Sequence, residues 1–371
     1  MPTLPDSIAI AGAWGYIGLK FLEASARLGV RAFVLDPGPM PKDAAGLPFE
    51  RVVDEEAFYN LDAGVFHLAL HPQHRGTAMR MLSERARRGD RPVILNEKPM
   101  APPERPEYCG RIVALVRESG MMMFYDFPEL YQPMTQRICE WLGRFRKVRI
   151  EEMRLHHSKD RENPANPRNY KVMVPIQYQE TVHCIAFLFH VLGKRRGGLV
   201  EALSGGLTVR GTSEIYNPPN LSAYPRPVDG KVEGEMRIGE TIARFDTNFK
   251  SGAPLSKKRV IRGTADGKPF EIEADYLEGK KYLILDGARQ DVGADEDSYG
   301  NTLVQLWDWT CNVGRERLMS GTYPNPEFTR CAFMASAMLW DSCSLARREG
   351  RLRDIAIPDM AGLAAYRPGY F

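Results

Sequence analysis

The sequence predicts an α/β chain in two domains: a doubly wound parallel sheet over residues 1–125, then an α+β domain with a mostly antiparallel sheet over residues 126–371. Three observations point there. Short apolar runs alternate with helical stretches through the first third of the chain. After about residue 126 the texture changes to strand-like runs between Gly, Asn and Asp turns. A length of 371 residues also exceeds one average domain.

The elements follow in order. Ser7 to Ala11 reads as a buried strand, Tyr16 to Leu28 as a helix, Arg31 to Leu35 as a second strand and Val65 to Leu70 as a third. A helix over about Arg75–Arg88, a strand at Pro92–Leu95, a helix at Glu104–Glu118 and a strand at Met121–Tyr125 complete the first domain. Such repetition implies a parallel sheet covered on both faces. A helix near Met134–Trp141 and a strand at Lys147–Arg154 open the second domain. A polar segment, His156 to Tyr170, precedes a strongly apolar helix at about Gln179–Leu192. Strand-like runs at Glu235–Phe249, Lys258–Gly263 and Phe270–Tyr276 predict the antiparallel sheet. Helices at about Asn301–Leu318 and Pro326–Arg348 close the chain.

Composition narrows the function classes. Hydrophobic residues make up 43% and charged residues 26%, ordinary values for a soluble globular protein. The net charge of +3 is small for this length. The basic clusters Arg85-Arg87-Arg88 and Lys194-Arg195-Arg196 fall at predicted helix ends, where cations complement the helix dipole, so nucleic acid is not an expected partner. Six cysteines are scattered without a Cys-x-x-Cys pair, which suggests a reducing cytoplasm. The first residues have no basic and apolar leader pattern, and no apolar run reaches membrane-spanning length. A soluble, cytoplasmic protein without membrane contact is expected.

The run Ile8-Ala9-Ile10-Ala11-Gly12-Ala13-Trp14-Gly15-Tyr16-Ile17-Gly18 is a strand, a glycine-rich turn and a helix start. In that setting glycines let the backbone turn tightly, approach a pyrophosphate and pack helix on strand, while the helix N-terminus offers N–H donors. Gly12, Trp14, Gly15, Tyr16, Ile17 and Gly18 are therefore candidate dinucleotide contacts in a Rossmann domain. Asp36 ends the second strand about twenty residues on, where an acid accepts from the adenosine ribose hydroxyls and repels a 2′-phosphate. Pro37 and Gly38 follow, with no Arg or Lys at once beside them. NAD is expected over NADP. The spacing Gly-x-x-Gly-x-x-Gly also suits short-chain dehydrogenases, which need Tyr-x-x-x-Lys beside the cofactor. Tyr16 to Lys20 lies inside the phosphate turn, and Tyr276 to Lys280 carries Gly279 in a strand-rich region, so neither fits that role.

Glu97-Lys98-Pro99 stands at the C-terminal end of a strand, the edge of a doubly wound sheet where ligands bind. A lysine there can hydrogen-bond a substrate hydroxyl and the nicotinamide ribose, and its charge lowers the cost of an alkoxide. The same placement also suits an ordinary surface lysine. His67, His71 and His74 are close in sequence, but His67 lies in a strand and no Cys or Asp completes a set, so no metal site is expected.

Val65-Phe66-His67-Leu68-Ala69-Leu70-His71-Pro72-Gln73-His74, then a helix, then Asn96-Glu97-Lys98-Pro99-Met100-Ala101, closely resembles the glucose–fructose oxidoreductase/inositol dehydrogenase family (Gfo/Idh/MocA). The resemblance extends to about residue 353. It implies a Rossmann domain followed by a domain with a large, open sheet, and it implies that Lys98 is catalytic. Pro72, His74 and Glu97 match positions lining the nicotinamide side of the cofactor, and Leu70 is a further candidate cofactor contact. Phe124 to Met134 matches the family's domain crossover, although Pro128 falls where Asn is common.

The family's second domain carries Asp-x-x-x-His at the start of an apolar helix. Here Gln179-Glu180-Thr181-Val182-His183 stands there. His183 fits a general base titrating near working pH. Gln179 occupies the acid's position and cannot take a proton. Glu180 is displaced by one residue, about 100° around a helix. Tyr125, His156, Arg168 and Tyr170 join Lys98 and His183 as candidate substrate contacts.

The resemblance thus implies an NAD-dependent dehydrogenase or ketoreductase acting on a CH–OH group of a sugar, cyclitol or related polyhydroxylated small molecule. It also implies a homodimer or homotetramer packed through the second domain's sheet. Gln179 motivates a rival reading, a sugar- or dinucleotide-sensing protein that kept the fold and lost catalysis. A hydride-transfer enzyme for a non-sugar ketone or imine is a third.

Overall fold

Short, fully buried runs build the first sheet. Strands β1 (Ser7–Ala11), β2 (Arg31–Leu35), β3 (Glu50–Arg51), β4 (Val65–Leu68), β5 (Val93–Asn96) and β6 (Met122–Tyr125) lie in the order β3-β2-β1-β4-β5-β6. Every pairing is parallel. All side chains of β1, β4 and β5 are buried, as expected of a sheet covered on both faces. The strand order reverses between β1 and β4. That makes the crevice beyond their C-terminal ends the topological switch point where doubly wound sheets bind ligands.

The computed structural model describes residues 4–293 and 297–369. The chain divides into two compact units, Met1–Gln132 with Glu296–Arg330, and Pro133–Asp295 with Cys331–Phe371. A single boundary at 125/126 in the sequence reading thus becomes three crossings. The returning segment belongs to the first unit because it is built to pack there. Asp297 caps helix Ser298–Asn312 by accepting from the Tyr299 and Gly300 N–H groups at 3.1 and 3.0 Å. Trp309 of that helix packs on Tyr131 at 4.9 Å between ring centroids, and Tyr299 packs on Phe21 at 5.3 Å. The helix expected over Asn301–Leu318 is two, broken at Val313-Gly314 into Ser298–Asn312 and Arg315–Ser320.

The second unit is organised by β7 (Val148–Ser158), β8 (Leu207–Ile215), β9 (Asp229–Ile238), β10 (Thr241–Asn248), β11 (Lys258–Ala265), β12 (Lys268–Asp275), β13 (Tyr282–Leu285), β14 (Ala288–Gln290) and β15 (Ile355–Ile357). They form one sheet in the order β14-β13-β12-β11-β7-β10-β9-β8-β15. Only β7 and β10 pair in parallel. The predicted α/β class, with a large and mostly antiparallel second sheet, is therefore what the chain adopts. The run expected as one strand from Glu235 to Phe249 is a hairpin, because Gly239 turns the chain at φ +57°. Strand β7 runs four residues past Arg154, so His156 and His157 lie on a strand. Helix Val182–Arg196 is buried all round from Val182 to Gly193, which explains its largely apolar sequence.

A bulge in β11 falls between Arg262 and Gly263. A Cβ at Gly263 would lie 1.9 Å from the Arg149 carbonyl oxygen on β7. Gly263→Ala should therefore cost about 2 kcal/mol or more of stability, read as a lower urea midpoint. An unchanged midpoint would show that β7 and β11 part easily here.

Candidate functional site

The glycine turn sits at the switch point of the first unit. Gly12 follows β1 with φ +78°, and a Cβ there would meet the Ala69 carbonyl oxygen at 2.5 Å. A Cβ at Gly18 would meet the Gly12 carbonyl oxygen at 2.3 Å. Only glycine fits at these two positions, one for strand-to-strand approach and one for seating helix Tyr16–Leu28 on the turn. Gly15 is the residue before that helix and brings no side chain to cap its first N–H groups. Asp36 is tied to the same turn. One carboxylate oxygen accepts from the Trp14 N–H at 3.0 Å and the other from the Gly38 N–H at 2.8 Å. Arg51, on edge strand β3, donates to the carbonyls of Asp36 and Gly38 at 3.1 and 3.3 Å. The sequence reading found no cation beside Asp36. Sheet pairing supplies one from fifteen residues away.

At the neighbouring strand end, Arg75 fastens two loops together. Its Nε and Nη2 donate to the Leu70 carbonyl at 2.9 and 2.7 Å, and its Nη1 donates to the Pro99 carbonyl at 2.9 Å. Arg75 is 4% exposed, and burial lowers its guanidinium to about 10. Leu70 and the Glu97-Lys98-Pro99 turn, which includes a cis Lys98–Pro99 bond, are thereby held by one side chain that sequence reasoning missed. Pro72 and His74 follow in a short 3₁₀ turn, and His74 is exposed.

Beneath Lys98 lies a buried acid cluster. His67 Nε2 is 3.2 Å from Glu97 Oε1, and the Asp126 carboxyl lies against Glu97. Burial pushes the His67 imidazole down to about 4, so it is neutral. Burial raises Glu97, opposed by the charges of Lys98 and Arg75. Burial, and then the neighbouring Glu97 carboxylate, hold Asp126 well above the usual carboxylate range. Tyr125 is fully buried, its N–H bonded to the Pro324 carbonyl and its own carbonyl to the Tyr131 hydroxyl. It is part of the scaffold rather than an open surface for substrate.

The second unit gathers a separate cluster. Residues Gln177–Thr181 form one π-turn ahead of helix Val182–Arg196. Its i→i+5 bonding winds more slowly than an α-helix, so the one-residue displacement of Glu180 does not turn it out to solvent. Glu180 is 1% exposed, and both its oxygens accept from Lys159 Nζ at 3.0 Å. His157 Nε2 stands 2.9 Å from Glu180, and the His157 and His183 rings are 5.5 Å apart. Gln179 is half-buried. The turn itself is pinned by Gln177, which donates to Asp229 at 2.6 Å, and by a 2.7 Å bond between Thr181 and Thr247.

This placement revises the candidate contacts. His156 faces the other side of the sheet and pairs with Asp246 at 3.2 Å. Strand alternation puts His157, not His156, beside Glu180 and His183. Arg168 and Tyr170 lie on a short 3₁₀ turn with Tyr170 half exposed, while buried Asn169 holds that turn by donating to the Asn163 carbonyl. Lys159 follows directly on β7 and reaches Glu180 on the same side as His157. Among the described residues no three His, Cys, Asp or Glu side chains gather as a metal site, and no helix is long and apolar enough to cross a membrane.

No protein-family model and no curated protein matches this chain. Solved structures do. A levoglucosan dehydrogenase in complex with NADH superposes with a TM-score of 0.70 at 14% identity, covering 95% of this chain and 99% of that one. A myo-inositol dehydrogenase from Corynebacterium glutamicum ATCC 13032 gives 0.62 at 13% identity, over 95% and 98%. An oxidoreductase from Agrobacterium radiobacter, in complex with NAD+, L-tartaric acid and magnesium, gives 0.65 at 12% identity, over 96% and 98%. The likeness is one of fold across nearly the whole chain.

The buried neutral imidazole has a pH signature. An unfolded histidine takes its proton near 6.5, whereas folded His67 resists protonation until about 4. Its contribution is complete above 6.5 and is lost as pH falls through that window. The loss amounts to roughly 3 kcal/mol at 1.36 kcal/mol per unit. Relative to wild type, His67→Gln should gain about that much on going from pH 7 to pH 4 in urea unfolding. An equal difference at both pH values would overturn the neutral assignment.

Proposed function

We propose that this chain is an NAD-dependent oxidoreductase of the Gfo/Idh/MocA type. It moves a hydride between the nicotinamide and a carbinol or keto carbon of a sugar, cyclitol or related polyhydroxylated molecule. The observation that carries this reading is the first unit's switch point, where the glycine turn meets the loop after β4 and Lys98 follows the adjacent strand β5. Fold likeness to a dehydrogenase solved with NADH and an oxidoreductase solved with NAD+ supports the cofactor. Neighbours named for levoglucosan and myo-inositol support the substrate class.

The residues fit a dinucleotide. Gly12 and Gly18 leave no room for a side chain, and the first-turn N–H groups of Tyr16 and Ile17 suit a pyrophosphate, while the Trp14 N–H is given to Asp36. Asp36, pre-oriented by two backbone donors, accepts from the ribose hydroxyls. Leu70, Pro72, His74 and Glu97 line the nicotinamide side. When bound, the dinucleotide supplies the hydride acceptor or donor.

The chain's own residues handle the oxygen and its proton. Lys98 donates to the substrate oxygen and offsets charge that develops there. His183 takes the hydroxyl proton in oxidation and returns it in reduction. Glu180, held by Lys159, and His157 orient it. This restores the acid that Gln179 lacks. Homo-oligomerisation through the open sheet belongs to the same reading. Its outward rows alternate sign, with Glu152 flanked by Arg154, Arg244 and Arg262, a pattern complementary to a second copy of itself.

Lys98→Ala should lower turnover by about 100-fold or more on whichever polyol of a sugar and cyclitol panel changes NADH absorbance, while the NADH dissociation constant stays within a few-fold. Full turnover in that variant would sink the assignment. For the cofactor, fluorescence titration should find NAD+ bound more tightly than NADP+, with Asp36→Ala narrowing the gap. Arg51 keeps the expected preference modest, and tighter binding of NADP+ by the wild type would reverse the reading.

A further inference from the structure

We propose that Glu97 and Asp126 share a single proton and, braced by His67, form a buried carboxyl pair that positions Lys98 from behind. The proposal rests on reading Lys98 as the residue that meets the substrate oxygen.

The geometry comes from three adjacent strands. His67 is on β4, Glu97 directly follows β5, and Asp126 directly follows β6. The Asp126 N–H donates to the Asn96 carbonyl at 2.9 Å, which sets its side chain beside Glu97. Their exposures are 0%, 7% and 2%, so water screens none of the three. Two ionised carboxylates in contact, shielded from water, would repel strongly. One proton must therefore stay with the pair.

The surroundings decide where that proton sits. Lys98 and Arg75 face Glu97 and favour its ionised form. Asp126 faces Glu97 and, from the turn at Pro128–Tyr131, Glu129, both of which disfavour a charge on it; His67 is its opposing neighbour, and Tyr131 lies against the same acids. Asp126 thus holds the proton and donates it in a hydrogen bond to Glu97. His67, neutral, stands at hydrogen-bond distance on the other side of Glu97. The result is one negative charge facing two cations. A second ionised carboxylate would draw Lys98 inward, away from a substrate oxygen. A neutral pair would leave nothing to hold its ammonium. The arrangement is more than a lysine on a turn requires.

Infrared difference spectroscopy on the cofactor-free chain tests the shared proton without using activity. Wild type at neutral pH should show the C=O stretch of a protonated carboxyl, and Asp126→Asn should lose it. An identical band in the two proteins would overturn the proton pair. Steady-state kinetics tests the positioning. Glu97→Gln should lower kcat by on the order of 10–100-fold, the range for groups that orient a functional side chain. It should lower kcat by more than it weakens NADH binding, and remove one inflection from the kcat–pH profile. Asp126→Asn keeps a donor to Glu97, so its kcat should fall less than that of Glu97→Gln. Wild-type kcat and an unaltered pH profile in Glu97→Gln would overturn the positioning role. Full turnover in Lys98→Ala would overturn the reading of Lys98 instead, and the infrared result separates the two failures.

Discussion

The contact between Gly12 and the Ala69 carbonyl oxygen is the constraint from which the first unit's site follows. A side chain at Gly12 would need to occupy space 2.5 Å from that oxygen, so β1 and β4 can run side by side to their ends only because the position is bare. Their closeness opens the crevice at the switch point and places the turn after β1 against the loop after β4. Gly18 then lets the helix settle on the turn, and Asp36 ties the next strand to it through two backbone donors. Everything nearby is arranged around backbone rather than side chains, which is what the close approach of a pyrophosphate requires.

Charge burial organises the adjoining strand ends. Arg75 gives its guanidinium to three carbonyl bonds and so fixes two loops relative to each other. A fully buried cation is costly unless its donors are satisfied, and here the carbonyls of Leu70 and Pro99 do so. The acids behind Lys98 meet the same problem in another way. They reduce their own charge, because two buried carboxylates cannot both ionise. In the second unit, the buried Glu180 carboxylate pairs instead with Lys159 and His157.

Much of this was legible in the residues. The strands Ser7–Ala11 and Arg31–Leu35 and the helix Tyr16–Leu28 have the bounds their apolar runs imply, since a fully buried strand shows as an unbroken apolar run and the glycine turn punctuates it. The second sheet was legible as a texture, and its hairpin at Gly239 was not, because alternation continues across a two-residue turn without a break in pattern. The π-turn at Gln177–Thr181 left no mark in the sequence. It depends on Gln177 and Thr181 finding Asp229 and Thr247, partners 52 and 66 residues away.

Sequence by itself determined the α/β class, the glycine turn with its acid, the lysine at the end of β5 and the histidine opening an apolar helix. Each is a local pattern whose meaning depends on neighbours a few residues away. Tertiary structure alone decided which carboxylate accompanies His183, which of two adjacent histidines joins it, where Arg51 and Arg75 reach, and which acids share burial behind Lys98. Those outcomes turn on strand register and on the solvent exclusion that pairs distant charges. No local pattern encodes either one, because both arise only when the sheets close.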